Sequence, residues 1–278
     1  MYRFAVIGDP IEHSLSPRMH SYFMENAGIP GEYGRIRVRN KEELQEVVTQ
    51  LQSGELDGIN ITAPWKSAIR EYLNSCSAEA EQIGAVNTVR ANGDTLTGHN
   101  TDMEGFLRSL QEFLAGKSVK SACIIGAGGA ARAVLLALLR IRPQKISVIN
   151  RTVRNGVAMI DELAPNKPIS LYPLEFQVLT ACLNRNDLVV NTLPFHGRKI
   201  FEHHSVFDAV ESSGYYYDLL YSRGHLREVQ SFRRYGWNST DGLDMLIYQG
   251  ISSLEYWTET PVADTIQLTE LRKMLRDE

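Results

Sequence analysis

Along the first third of the chain, short apolar runs alternate with stretches in which apolar residues return every three or four positions. FAVIG, YGRIRV and GINIT read as strands, whereas PRMHSYFMENAG, KEELQEVVTQLQ and SAEAEQIG have the helical period. Alternation of this kind predicts an α/β unit with an open sheet. VNTVRANGDTLTGHN then reads as a hairpin turning at Asn92 and Gly93, a residue pair that tolerates positive φ. It leads into a strongly amphipathic helix, TDMEGFLRSLQEFLAG, that ends at Gly116.

A second alternation follows in SACIIGAGGAARAVLLALLR, KISVINR, GVAMIDELA, DLVVNTL, YYYDLLY and LREVQSFRRYG. Strand, glycine turn, helix and strand in this order open a doubly wound dinucleotide-binding sheet. Residues 241–278 hold two helical patterns, LDMLIYQGISSLEYWTE and VADTIQLTELRKMLRDE, and no further strand. The expected fold is therefore α/β with two domains. A substrate-binding domain with an open sheet occupies 1–101 and is completed by the helices of 241–278, a Rossmann-like domain occupies 102–240, and a cleft lies between them.

The composition is that of a globular chain: 278 residues, 43% hydrophobic and 22% charged. A formal charge of -4 gives no basic excess for nucleic acid or an anionic membrane, so a small anionic substrate needs a local cationic site. The N-terminus runs straight into a strand pattern without a signal peptide, and the longest aliphatic run, AVLLALL, is too short to span a bilayer. Cys76, Cys123 and Cys182 are odd in number and widely spaced, which suits a reduced cytoplasmic protein and offers no zinc framework. His203 and His204 read as an exposed loop pair, since no Cys or carboxylate stands at ligand spacing, and no metal is expected.

CIIGAGGAARAV sets Gly126, Ala127, Gly128, Gly129 and Ala130 between an apolar strand and a helix, where glycines let backbone N–H groups approach a pyrophosphate. The second strand, KISVIN, ends where an NAD enzyme would carry an acidic residue for the ribose 2′-hydroxyl. Here it ends NRTVR, and Asn150, Arg151, Thr152 and Arg154 supply donors and two cations that fit a 2′-phosphate. NADP is the expected coenzyme.

In the first domain, GINIT points Asn60 and Thr62 the same way, because strand side chains repeat every second residue. Lys66 then opens the helical stretch KSAIREYLN, where the backbone dipole disfavours a cation. Ser14 and Ser16 lie two apart in an extended segment, and Ser16, just before Pro17, also suits an N-cap. Read singly, Asn87 is a turn residue, Asp102 a helix-terminus acid, Met245 core and Gln249 amphipathic.

Together, HSLSP, NITAPWK, GAVNTV, NTDMEGF, GAGGAARAV, NRTVR, YDLLY and DGLDMLIYQG resemble, in order and over nearly the whole chain, the shikimate dehydrogenase family. The resemblance implies reversible NADPH-dependent reduction of 3-dehydroshikimate to shikimate, in aromatic amino acid biosynthesis. It implies that Ser14 and Ser16 hold the substrate carboxylate and that Asn60, Thr62, Lys66, Asn87, Asp102 and Gln249 hold its ring hydroxyls. Lys66 and Asp102 would be the catalytic pair, Tyr221 a cleft residue, and Thr192, Gly242 and Met245 further coenzyme contacts. On this reading Lys66 exchanges a proton with the reacting C3 oxygen while hydride moves to or from the nicotinamide. The expected assembly is a monomer or homodimer.

Several positions depart from the family pattern. Trp65 stands before the lysine in place of His, Phe or Tyr, NTLPFHGR lacks a glycine-methionine ending, Asp244 replaces a common glycine, and YSRGHL lacks the usual proline and threonine. These bear on coenzyme positioning and turnover more than on the substrate. A quinate/shikimate dehydrogenase would share most of the site, and a ligand sensor without turnover is the alternative from another class.

Overall fold

The computed structural model of the chain describes residues 1–202, 205–221 and 227–277. His203, His204 and the part of YSRGHL at 222–226 lie outside the described residues. The chain divides into two compact units, Met1–Gly105 with Ile247–Glu278, and Phe106–Leu246.

The first unit opens with β1 (Tyr2–Gly8), α1 (Ser16–Asn26), β2 (Gly31–Arg37), α2 (Lys41–Gln52) and β3 (Gly58–Ile61). The central β1 pairs in parallel with β2 on one side and β3 on the other, which explains its unbroken apolar run from Phe4 to Ile7. After β4 (Ser75–Cys76) and α3 (Ala78–Ile83), β5 (Thr88–Asn92) and β6 (Thr95–His99) form an antiparallel hairpin against β3. The six strands run in the order β2-β1-β3-β5-β6-β4. Asn92 still pairs with Thr95, so the turn residues are Gly93 and Asp94, one position later than Asn92-Gly93. The amphipathic segment becomes α4 (Asp102–Leu114).

Two expectations in this unit are corrected. KSAIREYLN forms no α-helix: Lys66 lies in a turn, and only Ala68–Tyr72 coil, as a 3-10 helix. The stretch is too short, because Leu73 already leaves for β4, and its hold on the core is local. Trp65 is buried among Val38, Ile69 and Val86, with its indole N–H donating to the Val38 carbonyl at 2.6 Å. This gives the unusual Trp65 a packing role. Ser16 is also not the cap of α1: the capping position is Leu15, and the Ser16 amide donates to Ser14 Oγ at 3.3 Å.

The second unit contains β7 (Ser121–Ile125), α5 (Gly129–Ile141), β8 (Lys145–Asn150), α6 (Val153–Leu163), β9 (Ile169–Pro173), α7 (Phe176–Arg185) and β10 (Leu188–Asn191). Then come α8 (Ser205–Asp208), β11 (Tyr215–Asp218), α9 (Arg227–Arg234) and β12 (Asn238–Thr240). All of its strand pairs are parallel, in the order β12-β11-β10-β7-β8-β9. Winding reverses between β7 and β10, and ligands of such sheets bind outside the carboxyl ends of those two strands. The hydrophobic pattern shows neither β9 nor β12, because β9 is a half-exposed edge strand ending in proline and β12 is three polar residues. It also misses α7, whose buried residues are only Leu179, Cys182 and Leu183.

The chain re-enters the first unit through α10 (Leu243–Thr258) and ends with α11 (Leu268–Arg276). Both boundaries between the units fall inside a helix, α4 in one direction and α10 in the other. Asp244 sits in the first turn of α10, where a carboxylate complements the helix dipole.

Candidate active site

The first unit gathers its polar residues at the ends of β3 and β5 and the start of α4. Lys66 Nζ donates to Asp102 Oδ2 at 2.6 Å, with the lysine side chain 26% exposed and the aspartate 10%. The pair is thus held at the protein surface without being freely solvated. Asn87 Nδ2 donates to the other carboxylate oxygen, Asp102 Oδ1, at 2.8 Å. The Asn87 amide is itself oriented, since its Oδ1 accepts the Thr101 backbone N–H at 2.9 Å. Asp102 therefore accepts from two fixed N–H donors on opposite oxygens, leaving little freedom to the carboxylate or to the lysine that reads it.

Asn60 lies behind this pair rather than beside it. Its Nδ2 is within 3.1 Å of the Asn87 carbonyl and Thr88 Oγ1 and 3.0 Å of Ser253 Oγ, while its Oδ1 accepts from Tyr33 Oη at 2.7 Å. These bonds tie Asn60 to Asn87 and Thr88. Tyr33 also neighbours the Ser16 hydroxyl, and burial holds its phenol well above the usual range. The Ser14 carbonyl is fixed by Arg35, whose Nη2 and Nε donate to it at 2.6 and 3.2 Å. The structure thus joins Ser16, Tyr33, Asn60, Asn87, Asp102 and Lys66 in one polar network. Gln249 Oε1 enters it 3.4 Å from Asn87 Nδ2. Thr62 lies at the end of β3 with its backbone N–H bonded to the Ile7 carbonyl at 2.9 Å.

His20 stacks flat on Tyr33, ring centroids 4.3 Å apart, and among the described residues neither ring nitrogen has a hydrogen-bond partner. Burial pushes its pKa down to about 3 from 6.5. The folded state therefore refuses a proton that the unfolded chain accepts, so this stability is complete above pH 6.5 and falls as pH drops toward 3. The expected loss between pH 7 and pH 5 is about 2 kcal/mol. Urea unfolding of wild type and His20→Phe at both pH values checks this; equal pH slopes in the two proteins would contradict it.

In the second unit, β7 runs into Gly126, whose φ of +114° only glycine adopts readily and where any Cβ would overlap Thr192 Oγ1. Thr192 Oγ1 in turn donates to the Ile125 carbonyl at 2.8 Å, so the turn after β7 and the end of β10 are locked together at the winding switch. Gly128 and Gly129 then open α5. Arg151 and Arg154 are exposed just beyond β8, Arg151 in the loop and Arg154 already in the first turn of α6. Asn150 Nδ2 donates to the Thr152 carbonyl at 2.9 Å and shapes that loop. The main-chain turn, the start of a helix and two cations beyond the next strand fit a dinucleotide carrying an extra phosphate. Gly242 packs its backbone against Leu219, Met245 is buried, and burial raises the Tyr221 phenol.

The pattern of the sequence did not reveal Arg198. It is 4% exposed and pairs bidentately with the fully buried Asp218 at 2.5 and 2.7 Å, while Nε and Nη2 also donate to the Leu193 carbonyl. Tyr216 Oη donates to Asp218 Oδ2 at 3.0 Å. The loop 193–198 is tied down by the bonds of Arg198 to Asp218 and to the Leu193 carbonyl. Its signal in the sequence is an aspartate ending a buried strand, which must find a cation.

Known proteins resemble this chain over nearly its whole length. The model of the shikimate dehydrogenase substrate binding domain matches residues 6–89, and that of shikimate / quinate 5-dehydrogenase matches residues 109–219. A shikimate dehydrogenase (NADP(+)) of Desulfitobacterium hafniense (strain Y51) is 34% identical over 272 residues, 98% of this chain and 96% of the relative. The chain belongs to the shikimate dehydrogenase family. Among solved members, shikimate 5-dehydrogenase from Thermus thermophilus, in complex with NADP(H) and shikimate, is similar with a TM-score of 0.80 and 31% identity over 99% of this chain and 100% of that one. The enzyme from Listeria monocytogenes, in complex with shikimate and NAD, has a TM-score of 0.82 and 28% identity over 99% and 96%. Within the shikimate dehydrogenase matches, the first covers Ser14 to Asn87 and the second the glycine turn, Arg151 and Thr192. Asp102 and Gln249 fall outside both, yet the structure bonds them to Lys66 and Asn87.

Proposed function

We propose that this chain interconverts 3-dehydroshikimate and shikimate with NADP(H), and that Lys66 is its proton-transfer group. The observation that carries this reading is the 2.6 Å bond between Lys66 and an Asp102 carboxylate oriented by Asn87. In the reducing direction the Lys66 ammonium gives a proton to the carbonyl oxygen as it becomes a hydroxyl; in the oxidising direction the Lys66 amine takes it back. Asp102 holds Nζ in place and balances its charge. Ser14 and Ser16 hold the substrate carboxylate, and Asn60, Thr62, Asn87 and Gln249 meet the ring hydroxyls. Tyr221 is a further substrate contact, and Gly242 and Met245 are further coenzyme contacts. The bound nicotinamide coenzyme supplies or accepts the hydride; Gly126, Ala127, Gly128, Gly129, Ala130 and Thr192 would hold its pyrophosphate side, and Asn150, Arg151, Thr152 and Arg154 its 2′-phosphate.

Shikimate, quinate and 3-dehydroshikimate offered with each coenzyme, followed at the NADPH absorbance band, test this. Turnover of shikimate with NADP is expected, and binding of both ligands without turnover would favour a sensor. The quinate arm matters because the matching family model carries both substrates in its description.

NADP over NAD rests on Arg151 and Arg154. A hydrogen bond to a charged group is worth roughly 1.5–3 kcal/mol, so Arg151→Ala should weaken NADP binding about tenfold or more and NAD binding little. The side chain is exposed, so high salt should shrink the wild-type preference. Dissociation constants for both coenzymes at two ionic strengths check the claim; equal losses would mean that Arg151 only holds its loop.

No helix among the described residues is long and apolar enough to cross a membrane, and all three cysteines are free thiols. We place the enzyme in the cytoplasm as a monomer or homodimer, with a small-molecule substrate and no nucleic-acid partner.

A further inference from the structure

Gln249 stands on the part of α10 that belongs to the first unit, and two contacts set its position. On one side, Gly105 of α4 presents no side chain: a Cβ there would lie 2.8 Å from the Gln249 N and Cβ and 3.0 Å from its Cα. The two helices thus meet backbone to backbone at Gln249. On the other side, one turn along α10, Ser253 is fully buried and its hydroxyl donates to the Gln249 carbonyl at 2.9 Å. The same oxygen lies 3.0 Å from Asn60 Nδ2, 2.8 Å from Thr88 Oγ1 and 3.2 Å from Thr101 Oγ1. These partners come from β3, from β5 and from the residue preceding α4. One hydroxyl therefore ties α10 to the three chain segments that end at the Lys66–Asp102 pair.

A helix-interior serine bonded to the carbonyl four residues back does little for the helix itself, and alanine has the better propensity there. The hydroxyl makes sense as an anchor between elements. We propose that Ser253 is a positioning residue for Gln249, fixing the turn of α10 from which Gln249 reaches a substrate hydroxyl. Ser253 need not touch substrate to do this. The inference rests on the reading of the chain as a shikimate-type dehydrogenase.

The test compares Ser253→Ala, Gln249→Ala and the double variant by steady-state kinetics and by calorimetric titration with shikimate. Loss of a hydrogen bond at this scale should raise the KM and Kd for shikimate in Ser253→Ala about five- to tenfold. The kcat and the KM for NADP should stay within about twofold, the mark of lost uniform binding. Because Ser253 acts through Gln249, the double variant should bind shikimate no more weakly than Gln249→Ala alone. Ser253→Thr, which keeps the hydroxyl, should recover most of the affinity. Should Ser253→Ala fold poorly, the near-isosteric Ser253→Cys provides the same comparison. An unchanged shikimate KM, or losses that multiply in the double variant, would overturn the proposal. A wild-type chain that fails to reduce NADP with shikimate would instead overturn the reading beneath it.

Discussion

Lys66→Ala is expected to lower the turnover of shikimate by about two to four powers of ten, with its KM changed only a fewfold. The wild-type Nζ bonds a carboxylate that already has a second donor in Asn87, so Asp102 keeps one N–H partner when the lysine is gone. The ion pair is partly solvated, and its contribution to folding is correspondingly small. Loss of the proton-transfer group thus separates from loss of structure. The measurement is kcat and KM in both directions beside a thermal melt. A variant that melts normally and turns over at near the wild-type rate would reduce Lys66 to a surface ion pair.

The positions of several candidate residues were legible because they sit in short motifs with local geometry, whereas their roles came from the family resemblance. The glycine turn after β7, the donors after β8 and Asp102 at the head of α4 all follow from strand and helix periods. At Lys66 the local signal misleads. No α-helix begins there, so the dipole that made a cation seem misplaced is absent, and the claim now rests on the bond to Asp102. Residues whose partners are far away in sequence were not legible. Tyr33 reaches Asn60 across 27 positions and Ser253 reaches it across 193, and nothing in either local pattern announces the contact. Short polar or edge strands such as β12 and β9 are invisible for a related reason. Their stability comes from the neighbouring strand rather than from their own apolar content.

Arg198→Ala should be the most damaging single change in the second unit. Asp218 is fully buried and among the described residues would keep Tyr216, Asn191 and the Leu220 amide as partners. Removing one member of a buried ion pair leaves an uncompensated charge and costs about 3–5 kcal/mol. The Leu193 carbonyl would lose two donors at the same time, and with them the tether of the loop that follows Thr192. Because the pair is shielded from solvent, added salt should not change the loss. Hydrogen exchange read by mass spectrometry resolves the two units separately, so it reads the loss in the unit that carries it. Amides of β10 and β11 should lose protection by about two to four powers of ten, while those of β1 and β3 stay close to wild type. Arg198→Met with Asp218→Leu, which removes both charges, should recover part of the protection, since an apolar pair leaves no charge unsatisfied. Unaltered protection of β10 and β11 in Arg198→Ala would show that the loop is held by other contacts.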